Sequence, residues 1–238
     1  MLAGLSETRL VTKIEYRTLN DLAYDRIREG LMAGSFHPGQ VLVIRTLAES
    51  YGISTTPVRE ALQRLVAERL LTLLPNRSIA VPALEAGKYA ELARIRCELE
   101  GLAAELAAAR VRKATLRKLA RLADDMDESL AARDHDAYRR QNQAFHFAVY
   151  GEAASPRLFE MIQDLWSQTG PYMKELFGAP AYEPKANEAH RSVLAALEAG
   201  DGVRARAGIV ADLTVAGTFL VPHLEAVEGA RRREAEPA

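Results

Sequence analysis

The sequence predicts a mainly α-helical chain, with an N-terminal winged helix-turn-helix followed by an all-α antiparallel helical bundle. Three observations predict it. Ala and Leu are abundant, while Gly (15) and Pro (10) are sparse and clustered, a composition that favours helix. Apolar residues recur at three- and four-residue spacing, the helical period. The sharp turn signals crowd into residues 1–82 (HPGQ at 37–40, YGIS at 51–54, TP at 56–57, PNRS at 75–78) and long, rarely broken helical stretches follow Pro82.

In the first part, Leu19, Leu22, Ala23, Ile27 and Leu31 share one helical face, so 18–33 reads as an amphipathic helix. Gly34 stops it, and HPGQ turns the chain. A short helix spans Arg45–Tyr51 and ends at Gly52. Ser54 is placed to cap the next helix, which has Pro57 in its first turn and runs to about Arg69. Val58, Ala61, Leu62 and Leu65 form its buried face. LTLL-PNRS-IAVP then reads as two short strands around a turn.

In the second part, helices are expected at roughly 84–110, 113–132, 135–151, 156–177, 184–199 and 202–222. Asp134 or Asp136 can cap the third, Pro156 starts the fourth, and Gly200-Asp201 closes the fifth and caps the sixth. The expected organisation is an extension at 1–17, a winged helix-turn-helix unit at 18–82, an all-helical domain at 83–222, and a flexible tail at 223–238.

With 48% hydrophobic residues the 238-residue chain has apolar mass for real cores. One cysteine, Cys97, excludes a disulfide framework and any cysteine-based zinc site, and reads as a small buried filler. No continuous apolar run approaches the roughly 18 residues of a membrane helix, and no signal-type segment opens the chain. The expectation is a cytoplasmic protein with no membrane partner.

A short helix, a glycine turn and a second helix form the geometry that projects a helix into a DNA major groove. Here the second helix opens with Ser54, Thr55 and Thr56, whose hydroxyls and N–H groups suit phosphate oxygens. Arg59 can reach base edges, where a guanidinium forks onto guanine. Arg45 can hold the backbone, and Arg77 lies at the hairpin tip. Net charge is only −1 overall, with 10 basic and 8 acidic residues in 1–82, so an electropositive face must come from clustering.

Five histidines are present. His37, His135 and His223 read as surface residues. His146 lies mid-helix between two phenylalanines, and His190 lies in NEAHRSVLAAL. Asn142, four residues before His146, shares its helix face, and Asp212 is on the last helix. Two readings follow from these residues: a divalent-cation site built from three helices, suited to Zn, Ni, Mn or Fe, or two hydrogen-bonded core histidines.

The stretch from YDRIREGLMAGSFHPGQ to LLPNRSIAV resembles the winged helix of the GntR family of bacterial transcription regulators, through PG at 38–39, LAE at 47–49 and TPVREALQRL at 56–65. The resemblance implies DNA contacts from Arg45, Thr55, Thr56, Arg59 and the wing near Arg77. Where the family usually has Arg, this chain has Thr55; where it usually has a wing-tip Gly, this chain has Ser78. Residues 84–222 resemble the FCD ligand-binding domain of the FadR-like subfamily, in its shorter VanR-type form. The matching stretches are 91–108, 142–166 and 188–213. That resemblance implies a metal held by Asn142, His146, His190 and Asp212, in a set where Asn replaces the usual Asp and Asp replaces the last His. It also implies a small carboxylic acid effector near Arg96, with Arg139, Trp166 and Tyr172 as further candidates.

The expected function is therefore an effector-controlled regulator, a repressor, acting as a homodimer on an inverted-repeat double-stranded DNA operator. The competing expectations are a helical metal-dependent hydrolase with an appended nucleic-acid module, and an architectural DNA-binding protein without effector. Neither H-E-x-x-H nor a Gly-rich phosphate loop is present to support the hydrolase.

Overall fold

A computed structural model describes residues 17–83, 85–176 and 187–235. Of the expected extension at 1–17, only Arg17 falls within these residues, and the expected helix start at 184 lies outside them.

Helix α1 (Leu19–Met32) starts with a reciprocal cap. The Thr18 hydroxyl accepts from the Asp21 N–H, and the Asp21 carboxylate accepts from the Thr18 N–H, which satisfies two donors that helix geometry leaves open. Gly34 turns the chain at φ +66°. Helix α2 (Ile44–Tyr51) ends at Gly52, again left-handed. Helix α3 (Thr55–Ala67) buries Val58, Ala61, Leu62 and Leu65 completely. Strands β1 (Thr72–Leu73) and β2 (Ile79–Ala80) pair antiparallel, and Val41 bridges to Ala80 on the other edge of β2. The core of this unit gathers Ala23, Ile27, Leu31, Leu42, Leu62, Leu65 and Val81.

Pro82 leads into the bundle: α4 (Ala86–Ala108), α5 (Lys113–Ala131), α6 (His135–Gly151), α7 (Pro156–Thr169), α8 (Met173–Leu176), α9 (Glu188–Glu198) and α10 (Gly202–Ala235). Asp134 caps α6 by accepting from the Ala137 N–H, and Asp201 does the same for Arg204 at the start of α10. α10 lies along both α4 and α9, and α5 packs on α6. A second core runs through Leu119, Met126, Tyr138, Phe145, Ile162, Leu197 and Ile209.

Three expectations change. The fourth bundle helix does not run to 177: α7 ends at Thr169, and a 3-10 turn, Gly170–Tyr172, separates it from α8. The last helix does not stop at 222: α10 continues through Pro222 to Ala235, across most of the expected tail. A proline inside a helix removes one N–H and crowds one carbonyl, but it need not end the helix. Finally, the Gly202–Ala230 part of α10 holds an 18-residue window of mean hydropathy 1.5, long and apolar enough to cross a membrane by length and composition. Its Val, Ile, Leu, Phe and Ala raise the average, while Gly, Thr and Asp212 interrupt the apolar run. This stretch packs on α4 and α9 and carries Asp212.

The two units touch. Met32, at the end of α1, belongs to the bundle core, and α1 packs against α7 and the 3-10 turn. Arg28 pairs with Asp164 of α7. Gly170 lies so close to α1 that a methyl group on it would stand 2.2 Å from the Leu31 carbonyl oxygen. Tyr172 Oη donates to the Pro82 carbonyl, 3.2 Å away, in the linker.

Candidate nucleic-acid interface and candidate metal centre

The second helix of the helix-turn-helix presents an open N-terminus. Ser54 occupies the cap position of α3, yet its hydroxyl makes no capping bond, contrary to the capping expected from sequence. Ser54, Thr55, Thr56 and Arg59 are all exposed, as is Arg77 at the wing tip. The partly positive end of α3 and its hydroxyls are therefore accessible to an anion. Arg59 and Arg77 line one cleft of about 690 Å³ between α3 and the hairpin, together with Gln63 and Leu73. Gln63 was not singled out from sequence. It lies one turn after Arg59 on the same exposed face, and glutamine pairs bidentately with adenine. Arg45 is also exposed and pairs with Glu49 at 3.0 Å, four residues on.

The wing tip is strained. Leu74 and Arg77 close a tight turn, the Asn76 side chain accepts from the Ser78 N–H, and Arg77 takes φ +64°. A side chain is disfavoured there, so the turn holds an arginine where local sterics favour glycine.

The second site lies inside the bundle. His146 on α6 and His190 on α9 place their Nε2 atoms 3.1 Å apart, and Asp212 Oδ2 on α10 is 3.3 Å from His146 Nε2. These three ligand atoms lie within 4.8 Å of one another, and both imidazoles are 1% exposed. Two nitrogens bound to one tetrahedral metal at about 2.0–2.1 Å stand about 3.3 Å apart, so the spacing fits a cation. Burial works to raise the Asp212 carboxyl, but the facing His190 and Arg96 hold it below its ordinary range. It is thus an ionised oxygen donor. Asn142, one turn before His146, is buried on the same face and offers a neutral carbonyl.

Behind His146 is a chain of polar groups that sequence reading missed. His146 Nδ1 is 2.9 Å from Tyr150 Oη, and Tyr150 Oη donates to Glu100 Oε2 at 2.5 Å. Glu100, wholly buried, receives Arg96 Nε at 2.6 Å on its other oxygen. Arg96 Nη1 also donates to Thr169 Oγ1 at 3.2 Å, and the guanidinium lies 4.9 Å from the Trp166 ring centroid. Glu100 follows Arg96 by four residues, and Tyr150 follows His146 by four. Helical spacing alone was the available signal.

The expected effector residues separate. Arg96 and Trp166 lie beside the histidines, with the Trp166 ring 5.4 Å from that of His146. Buried Trp166 Nε1 finds no acceptor among the described residues, which leaves a donor for a ligand. Arg139, on the same face of α6 but about 10 Å along its axis from His146, is instead at the junction of the two units. It pairs with Asp136, and its Nε stands 3.7 Å from where a Gly34 methyl would be. Tyr172 is likewise tied to the linker. His223 lies at the surface, as expected, and pairs there with Glu175 Oε2 at 3.0 Å.

Residues 19–81 match the model for bacterial regulatory proteins of the gntR family, and residues 91–214 match the FCD domain. The chain belongs to the GntR family. It is similar to the HTH-type transcriptional regulator McbR of Escherichia coli K12, at 34% identity over 79% of this chain and 86% of that protein. A solved structure of E. coli McbR/YncC superposes with a TM-score of 0.81 at 31% identity, covering 87% of this chain and 99% of the other. The HTH-type transcriptional repressor GlaR of the same organism is 26% identical over 76% of this chain and 86% of its own length. This GntR protein is a DNA-binding transcription regulator with an FCD domain, and the hydrolase alternative is not favoured. The relatives are named as transcription regulators.

Proposed function

We propose that this GntR regulator is a cytoplasmic repressor whose operator binding is controlled by a small carboxylic acid held in the FCD bundle. The observation that carries the reading is the grouping of buried Arg96, Trp166, His146 and His190 with half-buried Asp212, in a chain that also exposes Ser54, Thr55, Thr56, Arg59 and Arg77. Arg45 is assigned to the DNA backbone.

His146, His190 and Asp212 would hold a divalent metal (Zn, Ni, Mn or Fe), with Asn142 as a weaker fourth donor. Such a metal, when bound, supplies a Lewis-acid anchor for an effector oxygen. Arg96 orients the acid through its guanidinium, which must share its charge with Glu100, and Trp166 Nε1 offers a further donor. The acting form is a homodimer on an inverted-repeat operator. Supporting this, only 33% of the apolar stretch of α10 is buried within a single chain, and Ile95, Leu102 and Val203 are exposed, an apolar surface suited to a second copy. Control follows from linkage: an acid that prefers one relative placement of the two winged helices shifts the operator equilibrium by that preference.

The test has two steps. Selection of bound duplexes from a random pool should return an inverted repeat, and Arg59→Ala should weaken its binding by about 1–3 kcal/mol and relax the preferred sequence. A thermal-shift screen of small carboxylic acids, with and without Zn or Ni, should then find a stabilising acid that lowers operator affinity. Unselective DNA binding, or an acid-independent operator complex across the screen, would overturn the corresponding half of the reading.

A further inference from the structure

Resting on the reading of His146, His190 and Asp212 as a metal centre, we infer that Glu100 and Tyr150 are positioning residues that commit the proton of His146 to Nδ1 and so turn a bare Nε2 lone pair toward the ligand position. The argument is a count of protons. Glu100 is wholly buried, and one of its oxygens receives Arg96 Nε at 2.6 Å. Beside that guanidinium it is a carboxylate and can only accept. Its other oxygen is 2.5 Å from Tyr150 Oη, a length typical of a hydroxyl donating to an ionised acceptor. Tyr150 has one proton, and it is used there. The contact of 2.9 Å between Tyr150 Oη and His146 Nδ1 must therefore be donated by the imidazole. A neutral His146 then has no proton on Nε2, the atom facing His190 Nε2 and Asp212.

Without this chain the tautomer would reverse. Asp212, 3.3 Å from His146 Nε2, would draw the proton to that atom and block it as a ligand. The buried sequence Arg96–Glu100–Tyr150–His146 opposes that pull from the far side of the ring. Outer partners of this type orient a ligating imidazole, and their loss typically weakens metal affinity about 10–100-fold.

The experiment uses the full-length protein and Zn(II) alone. Nitrogen-15 NMR of the metal-free protein at pH 8, with His146 assigned through the His146→Gln variant, should show Nδ1 protonated. Competition with a chromophoric chelator should show Zn(II) affinity reduced about 10–100-fold in Tyr150→Phe and reduced in Glu100→Gln. In both variants the His146 nitrogen signature should move toward the Nε2–H form. A wild-type His146 protonated on Nε2 overturns the inference without any variant having to fold. Unchanged Zn(II) affinity in a folded Tyr150→Phe overturns it as well. Wild-type protein that binds no Zn(II) but has Nδ1 protonated would reject the metal reading and leave the positioning role supported, so the two failures are distinguishable.

Discussion

Glu152 shows how one side chain can set a pH limit on stability. It receives Arg112 at 2.7 Å and the Thr115 hydroxyl at 2.6 Å, tying the start of α5 to the end of α6. Burial works to raise its carboxyl, but the bonds from Arg112 and Thr115 prevail and hold it below the ordinary 4.5. A carboxylate lowered in the folded state adds stability that is fully present above its unfolded value and is lost as pH falls through the folded one. Glu152→Gln should therefore melt a few degrees below wild type at pH 7, and the gap should close below about pH 4.5. A gap independent of pH, in thermal unfolding followed by circular dichroism, would refute this. At the same scale, sequence reading reached the histidines and Asp212, whose chemistry is visible in their residue type. It did not reach Tyr150, Glu100 or Thr169. A tyrosine or a glutamate in a helix is ordinary until the fold shows which groups it faces, and the Thr169 contact joins residues 73 positions apart.

Among the elements, the helices of the winged unit were the most legible, because apolar period, glycine stops and caps agreed in sequence. The misreadings fell where one signal was weighed alone. The last helix is expected to end at 222, whereas α10 stays packed beyond Pro222: Leu224 joins the bundle core and Glu228 accepts from the Ala86 N–H at the start of α4. The apolar pattern at 156–177 continued through a 3-10 turn, since a three-residue turn barely disturbs helical spacing. The hairpin makes its own prediction. Arg77 sits at φ +64°, a conformation costing an ordinary residue about 1 kcal/mol or more. Arg77→Gly should raise the melting temperature while lowering operator affinity. Changes of the same sign in both measurements would show that this residue has no such dual role.

For the whole molecule, the two-core architecture followed from the change in texture near Pro82, but the contact between the cores did not. No local pattern announces that Gly170 will meet the end of α1, nor that Arg139 of α6 lies beside Gly34. The prediction belongs to that meeting. Gly170→Ala would place a methyl 2.2 Å from a backbone oxygen, which cannot rotate away as a side chain can. It should destabilise the protein by about 1–3 kcal/mol or split thermal unfolding into two steps as the units part. A variant with wild-type stability and a single transition would show that the junction yields without cost.

The same junction has a mechanical consequence. A joint made of backbone against backbone has no slack: there is no flexible side chain to take up a displacement. Helix α1 has 14 residues and so spans about 20 Å. A tilt of roughly 5° imposed at its Met32 end carries the Leu19 end sideways by about 2 Å, comparable with the difference between a formed and a broken hydrogen bond. Thr169, which touches Arg96, is the residue immediately before Gly170. The grip on α1 thus begins one peptide bond from the proposed acid site.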